Sequence, residues 1–221
     1  MAAKVVPNPL ASDRAEAFAL TPVSRETEER LALFVDLLLA WQKTTHLVSP
    51  ASIPKLWTRH VADSLQLLDL APEARLWVDL GSGGGFPGLV LACALAEKPG
   101  AMVHLVESNT RKAAFLREAL RITGAPGIVE AMRIEKCVAN FAPLPDVITA
   151  RALLPFKLLM TQSFSLLSRG ALGLFPKGQD VAAELTEATK YWNIDYNLVP
   201  SRTDSLARIV VVHGLDRRQT L

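Results

Sequence analysis

Asp79, Gly81, Gly83 and Gly85 alternate within the stretch Val78-Asp79-Leu80-Gly81-Ser82-Gly83-Gly84-Gly85-Phe86-Pro87-Gly88. Glycines accept backbone angles that other residues resist, so a ligand can press against bare main chain there. An acid two places before the first glycine suits a ligand carrying an amino group and a sulfonium. The same carboxylate sits poorly beside a pyrophosphate. Glu107 closes the run Met102-Val103-His104-Leu105-Val106-Glu107, about a βαβ half-unit further on. An acid at that strand tip can accept hydrogen bonds from both hydroxyls of a ribose; a solvated strand-end carboxylate is the plainer reading. Two other readings of the glycines stand beside the first. Gly83, Gly85 and Gly88 also fit G-x-G-x-x-G, the dinucleotide fingerprint, and a glycine-rich turn can exist with no ligand at all.

Bringing these residues into one cleft takes a parallel sheet with the ligand at the carboxyl ends of its strands. The apolar runs predict strands at 76–80, 102–107, 127–132, 146–151 and 171–175, with helices at 87–97, 110–122, 155–168 and 179–191. Pro87 suits a first helical turn, where its missing N–H costs nothing, and Asn109 is placed to cap the helix that follows Glu107. Two last strands, near 194–199 and 207–213, close the sheet as an antiparallel pair. Ahead of the sheet, a helix is expected over about 24–44, with Glu26, Glu28 and Glu29 at its start and Leu31, Phe34, Val35 and Leu38 as its apolar stripe. A second is expected from about 52 to 68. The organisation read from this is a flexible tail over 1–20, an N-terminal helical cap over 21–70 and a Rossmann-like α/β domain over 71–221, forming one compact unit. Only about one more half-sheet follows Glu107, which argues against a dehydrogenase.

Composition narrows the class further. The 221 residues carry a net charge of +2, which neither demands nor excludes a nucleic-acid partner. Cys93 and Cys137 show no C-x-x-C spacing and no disulfide framework; Cys93 reads as helix core and Cys137 as a partly buried residue beyond Glu135. The apolar run over 31–39 is too short to span a membrane, and no cleavable leader pattern is present. A soluble, cytoplasmic monomer without a metal is the expectation.

The D-x-G-x-G-x-G pattern resembles the first motif of S-adenosylmethionine-dependent methyltransferases of the Rossmann-like class. Further stretches carry a more specific likeness: Trp41-Gln42-Lys43 with His46-Leu47-Val48-Ser49, then Arg59-His60-Val61-Ala62-Asp63-Ser64 and the G-F-P-G form of the glycine turn. Glu107-Ser108, Arg111-Lys112-Ala113-Ala114-Phe115-Leu116, Arg133-Ile134-Glu135, Ile148-Thr149-Ala150-Arg151-Ala152 and Leu174-Phe175-Pro176-Lys177-Gly178 add to it. From about residue 28 onward the chain is similar to the bacterial small-subunit ribosomal RNA guanine-N7 methyltransferases, the glucose-inhibited division protein B or RsmG family. It departs from the family pattern at Gln42 and His46, where asparagines are usual, and at Pro176.

The resemblance implies a class I Rossmann-like methyltransferase sheet with an N-terminal helical cap, and methyl transfer from S-adenosylmethionine to N7 of one guanine in the 530 loop of 16S ribosomal RNA. It carries cofactor contacts to Gly81, Phe86, Ile134, Glu135 and Arg151, beside the Asp79, Gly83, Gly85 and Glu107 already singled out. For Arg151, a structural ion pair with Asp63 is the competing reading. Guanine N7 offers a lone pair and carries no proton, so no general base is required. Alignment of nucleophile, methyl carbon and sulfur then supplies most of the advantage, and Arg151 is at most a positioning group. RNA contact is expected from scattered cations: Lys43, Arg59, His60, Arg111, Lys112 and Lys177, on 16S RNA or the small ribosomal subunit. His60 can instead join the cap to the sheet, and Trp41 and Trp57 can stack on a base or fill the core. A small-molecule methyltransferase and a non-catalytic nucleotide- or RNA-binding module are the alternatives.

Overall fold

The computed structural model describes residues 9–218. Seven strands form one sheet: β1 (Leu76–Leu80), β2 (Met102–Val106), β3 (Gly127–Glu130), β4 (Val147–Thr149), β5 (Leu172–Lys177), β6 (Trp192–Pro200) and β7 (Arg208–Arg217). They lie in the order β3-β2-β1-β4-β5-β7-β6. The first five are parallel, and β7 runs antiparallel between β5 and β6. Strand order reverses between β1 and β4: from β1 the sheet grows outward through β2 and β3 on one side and from β4 through β5 on the other, which opens the crevice where open α/β sheets bind ligands.

Strand alternation splits the core into two layers. Trp77, Val103 and Leu105 face one apolar cluster, Val78, Leu80, Val106 and Ile148 the other. The first layer is covered by α1 (Pro9–Leu20), α2 (Arg25–Gln42), α3 (Asp63–Leu65), α4 (Gly88–Leu95) and α5 (Thr110–Thr123), the second by α6 (Ile134–Ala139), α7 (Phe156–Leu167) and α8 (Val181–Ala188). The Ser24 side chain caps α2, and Leu31, Phe34, Val35 and Leu38 are buried as the stripe requires. Asn109 caps α5 by accepting from the N–H groups of Arg111 and Lys112.

Two expectations for the N-terminal third need correction. Residues 9–20, read as part of a tail, form α1; residues 1–8 lie outside the described residues. Its alanines are strong helix formers, and the buried Asp13 and Ala17 dock it on the cap. The single helix expected over 52–68 is broken instead. A 3₁₀ turn (Pro50–Lys55) passes into a π-helical turn (Trp57–Ala62), then α3, then a 3₁₀ turn (Leu68–Leu70). Pro54 has no N–H to give, and the next free donors are taken from outside: the N–H groups of Trp57 and Thr58 donate to the Asp13 carboxylate at 2.7 and 3.3 Å.

Candidate functional site

The carboxyl ends of β1, β2 and β4 and the cap enclose a hollow of about 740 Å³. Its floor is the glycine turn. The N–H groups of Gly81 and Ser82 both donate to the Val106 carbonyl, fixing the turn over β2. Gly83 has φ +51°, and an added Cβ would find no atom nearer than 3.7 Å, so bare main chain faces open space there. Gly81, Gly83 and Phe86 line the hollow. Gly85, expected beside them, is buried against Phe34 and Leu89, where a Cβ would come within 3.1 Å. It serves the docking of α2 on the turn and does not line the hollow.

The two acids separate in role. Glu107 lines the hollow and is 9% exposed. One of its oxygens accepts the Gly83 N–H at 3.0 Å and the other the Asn109 N–H at 2.7 Å. Each oxygen keeps a lone pair for a ribose hydroxyl. Asp79 is fully buried beneath the turn and does not reach the lining. Its Oδ2 accepts the Gly88 N–H at 3.0 Å, while Oδ1 has no hydrogen-bond partner among the described residues. Burial pushes its pKa up to about 7 against the pull of Ser82, Gly88 and Arg151. An acid so placed is poised to change charge near neutrality, and its Oδ1 is a buried acceptor left unpaired beneath the turn.

Arg151, expected at the end of β4, stands two residues beyond it and reaches the cap. Its guanidinium donates to the Arg59 carbonyl at 3.0 Å and to Asp63 at 3.3 Å, bonds Nδ1 of His60, and lies 5.4 Å from the centroid of the Phe86 ring. Arg151 forms the ion pair with Asp63 and also lines the hollow. His60 stacks on Phe86 at 4.9 Å, and its Nε2 bonds the Ser52 hydroxyl at 2.9 Å. Burial, then Arg151 and Arg59, push its pKa down to about 3. His60 is therefore a neutral linker between cap and sheet, which corrects its assignment as a cation for phosphate.

Ile134 and Glu135 begin α6 and line the hollow together, beside Met132 and Arg133. The Glu135 carboxylate accepts from Gln162 at 2.8 Å, and its own backbone N–H and Gln162 hold its pKa below the ordinary value. It stays an acceptor, fit for an exocyclic amino group. Met132, Ser108, Gln162, Leu153 and the cap residues Leu47 and Val48 also line the hollow, and sequence reasoning gave none of them a role there. Met132 had a signal in its place directly before Arg133-Ile134-Glu135. Leu47 and Val48 are set by Gln42, whose amide accepts both their N–H groups and donates to the Val48 carbonyl. The glutamine found where asparagine is usual thus ties the loop that follows α2.

Of the expected phosphate cations, Lys43, Arg59 and Arg111 are exposed and Lys112 lines the hollow. Lys177 ends β5 and is already held by Glu184 at 2.7 Å and by the Leu154 carbonyl at 3.1 Å, so it is not free for phosphate. Trp57 is buried against Phe18, and Trp41 packs on Phe115. Cys93 and Cys137 are buried, their thiols pushed up to about 12 and about 11 by burial. Among the described residues no group of three or more potential ligands could hold a metal, and no helix is long and apolar enough to cross a membrane.

The family model for rRNA small subunit methyltransferase G (GidB) matches residues 27–208. A ribosomal RNA small subunit methyltransferase G of Bradyrhizobium sp. (strain BTAi1) is 60% identical over 208 residues, 94% of each chain. One from Rhodopseudomonas palustris (strain BisB18) is 59% identical, covering 95% of this chain and 90% of its own. Among solved structures, an O-methyltransferase from Bacillus cereus in complex with SAH aligns with a TM-score of 0.58 at 15% identity, over 92% of this chain and 97% of its own. That likeness is one of fold: a Rossmann-like methyltransferase sheet.

Proposed function

Because the chain belongs to the rRNA small subunit methyltransferase G family, we propose that it transfers the methyl group of S-adenosylmethionine to N7 of one guanine in the 530 loop of 16S ribosomal RNA. The observation that carries this reading is the convergence in one hollow of Gly81, Gly83, Glu107, Ile134, Glu135 and Arg151, drawn from four separate elements. The residues suit the cofactor. Glu107 offers lone pairs to the ribose hydroxyls, Ile134 and Met132 an apolar cover for the adenine, and Glu135 an acceptor for its amino group. Bare main chain at Gly83 admits close approach, and the orphaned Oδ1 of Asp79 lies below as a counter-charge for the cationic end. When bound, the cofactor supplies an electrophilic methyl group.

The protein's own task is then alignment. N7 brings its lone pair and has no proton to lose, so no side chain need act as a base. The neutral His60, with both ring nitrogens committed to Arg151 and Ser52, agrees with that. Arg151 is a positioning residue that joins cap to sheet beside the reacting atoms. Lys43, Arg59, Arg111 and Lys112 supply salt-sensitive contacts to RNA phosphates. The enzyme works as a cytoplasmic monomer in this reading, with residues 21–70, and α1 before them, as an RNA-facing cap on the catalytic unit of 71–221.

The test is to map N7-methylguanine in 16S RNA from a strain lacking the gene. One guanine of the 530 loop loses its modification and regains it when the wild-type gene is restored. An unchanged methylation pattern removes the assignment.

A further inference from the structure

A second hollow, of about 960 Å³, adjoins the first. The two share one wall, formed by Arg59, His60, Arg151, Ala152, Leu153 and Leu154. The far side of the second hollow is the segment between β6 and β7, which contributes Ser201, Thr203, Asp204 and Ala207. This segment is fastened to the cap. The Thr203 hydroxyl donates to Asp63 at 2.8 Å, the Arg202 N–H to Gln66 at 2.9 Å, and the Arg202 guanidinium pairs with Asp69 at 2.7 Å. Asp63 also holds Arg151, so the shared wall and the β6–β7 segment are braced on one carboxylate.

The charges of this second hollow cancel unevenly. Glu16 pairs with Lys55, Asp63 with Arg151 and Glu184 with Lys177. Asp180 and Asp204 have no salt-bridge partner among the described residues, and neither do Arg59 and Arg208. One oxygen of Asp204 accepts the Leu206 N–H at 2.9 Å, which orients its carboxylate. Pro155, Pro176, Leu154 and Ile209 provide apolar surface between these charges. The Arg208 guanidinium is held by the carbonyls of Ser205 and Ala207 at 2.8 and 2.7 Å, which leaves Arg59 as the spare cation. The set matches one nucleotide unit: apolar surface for a base, a spare cation for a phosphate, and a spare acid for an edge carrying two adjacent donors. Among the bases, guanine presents that edge, its N1–H and 2-amino group, on the side of the ring away from N7.

We propose that the second hollow receives the target nucleotide out of its stack, with Asp204 accepting from N1–H and the 2-amino group of guanine and the β6–β7 segment acting as the specificity wall. The inference rests on the RNA reading above and assigns that substrate its place. An adenine there would meet the carboxylate with an acceptor, N1, and lose the paired contact.

The test uses full-length protein with S-adenosylhomocysteine filling the first hollow and guanosine, inosine and adenosine 5′-monophosphates as probes, followed by NMR. Guanosine monophosphate is expected to shift the signals of residues 201–207 and to bind at least fivefold tighter than inosine monophosphate, which lacks the 2-amino group. Asp204→Asn is expected to erase that preference while its affinity for S-adenosylhomocysteine stays within twofold of wild type. On 30S subunits carrying an unmethylated 530 loop, the same variant is expected to lose at least tenfold in kcat/KM. Absence of guanosine monophosphate binding by the wild type, an undiminished preference in Asp204→Asn, or shifts confined to the first hollow would each overturn the proposal. Failure of the RNA reading itself shows separately, as an unaltered 16S methylation map.

Discussion

On the sheet side, the first hollow is walled by main chain, whereas on the cap side it is walled by a web of side chains. The glycine turn presents N–H groups and bare backbone fixed by hydrogen bonds to β2. The cap presents Arg59, His60 and the Arg151–Asp63 pair, each held by a partner far away in sequence. The first wall is set by where a Cβ cannot go, the second by which donors find acceptors. They should break in different ways.

Gly88→Ala should have the largest effect. A Cβ there would lie 2.4 Å from Leu105 Cδ2 and 2.5 Å from Asp79 Oδ2. Overpacking at a site closed by a strand costs about 3 kcal/mol, and displacing the Gly88 N–H from Asp79 adds about 1. A loss of about 4 kcal/mol in urea unfolding is expected. A loss under about 1 kcal/mol would show that the turn yields as easily as a side-chain contact.

Asp63→Ala comes next, on the cap side. It strands the largely buried Arg151 guanidinium and removes the acceptor of Thr203 and Gln66. Breaking such a pair from one end costs about 3 kcal/mol. Asp63→Asn, which keeps an acceptor for Thr203, should recover part of that in the same denaturation experiment. Equal losses in the two variants would mean that the charge alone matters and that the web is no web.

Much of the main-chain wall was legible in sequence because it depends on residue types acting locally. Alternating glycines, Pro87 and the acid at each strand tip announce a strand, a turn and a helix. What stayed hidden there was direction: Asp79 turns down under the turn and Gly85 turns toward α2, which follows from packing and not from spacing. The cap was less legible. Its elements are shaped by bonds such as Asp13 to Trp57, 44 residues apart, and Thr203 to Asp63, 140 residues apart. No local pattern at 52–68 reveals that its helix will widen into a π turn, nor does the alanine-rich start of the chain show what α1 will brace.

Asp79 lies where the two walls meet, and its effect depends on pH. Its folded pKa, about 7, lies above the ordinary 3.8. Between about pH 4 and 7 the native state therefore holds a proton that the unfolded chain has released, and stability falls as pH rises through that window. Asp79→Asn cannot ionise. Relative to wild type it should gain stability steadily from pH 4 to 7 and hold that gain above. The gain reaches about 4 kcal/mol at about 1.4 per pH unit, a figure already net of the attraction to Arg151 that holds the pKa down. His60 acts in the opposite sense. Its folded pKa, about 3, lies below 6.5, so its contribution is lost as pH falls from 6.5 toward 3. A pH–stability curve of Asp79→Asn parallel to wild type would show that the buried acid is ionised throughout.

The smallest effect tests whether the cap wall extends as far as α1. Asp13 is 2% exposed, and its carboxylate accepts from the Trp57 N–H, the Thr58 N–H and the Thr58 hydroxyl. Asp13→Asn keeps one acceptor oxygen and sets an NH₂ donor against one of those donors. Shape and packing are preserved, so the change isolates the bonds, at about 1–2 kcal/mol. Hydrogen exchange at the Trp57 and Thr58 amides should speed up about tenfold, while amides of the glycine turn keep wild-type rates. Because the π turn carries Arg59 and His60, the KM for 30S subunits should rise with kcat within twofold of wild type. Faster exchange in the glycine turn as well would mean that the two walls are one mechanical unit, and the contrast between them would dissolve.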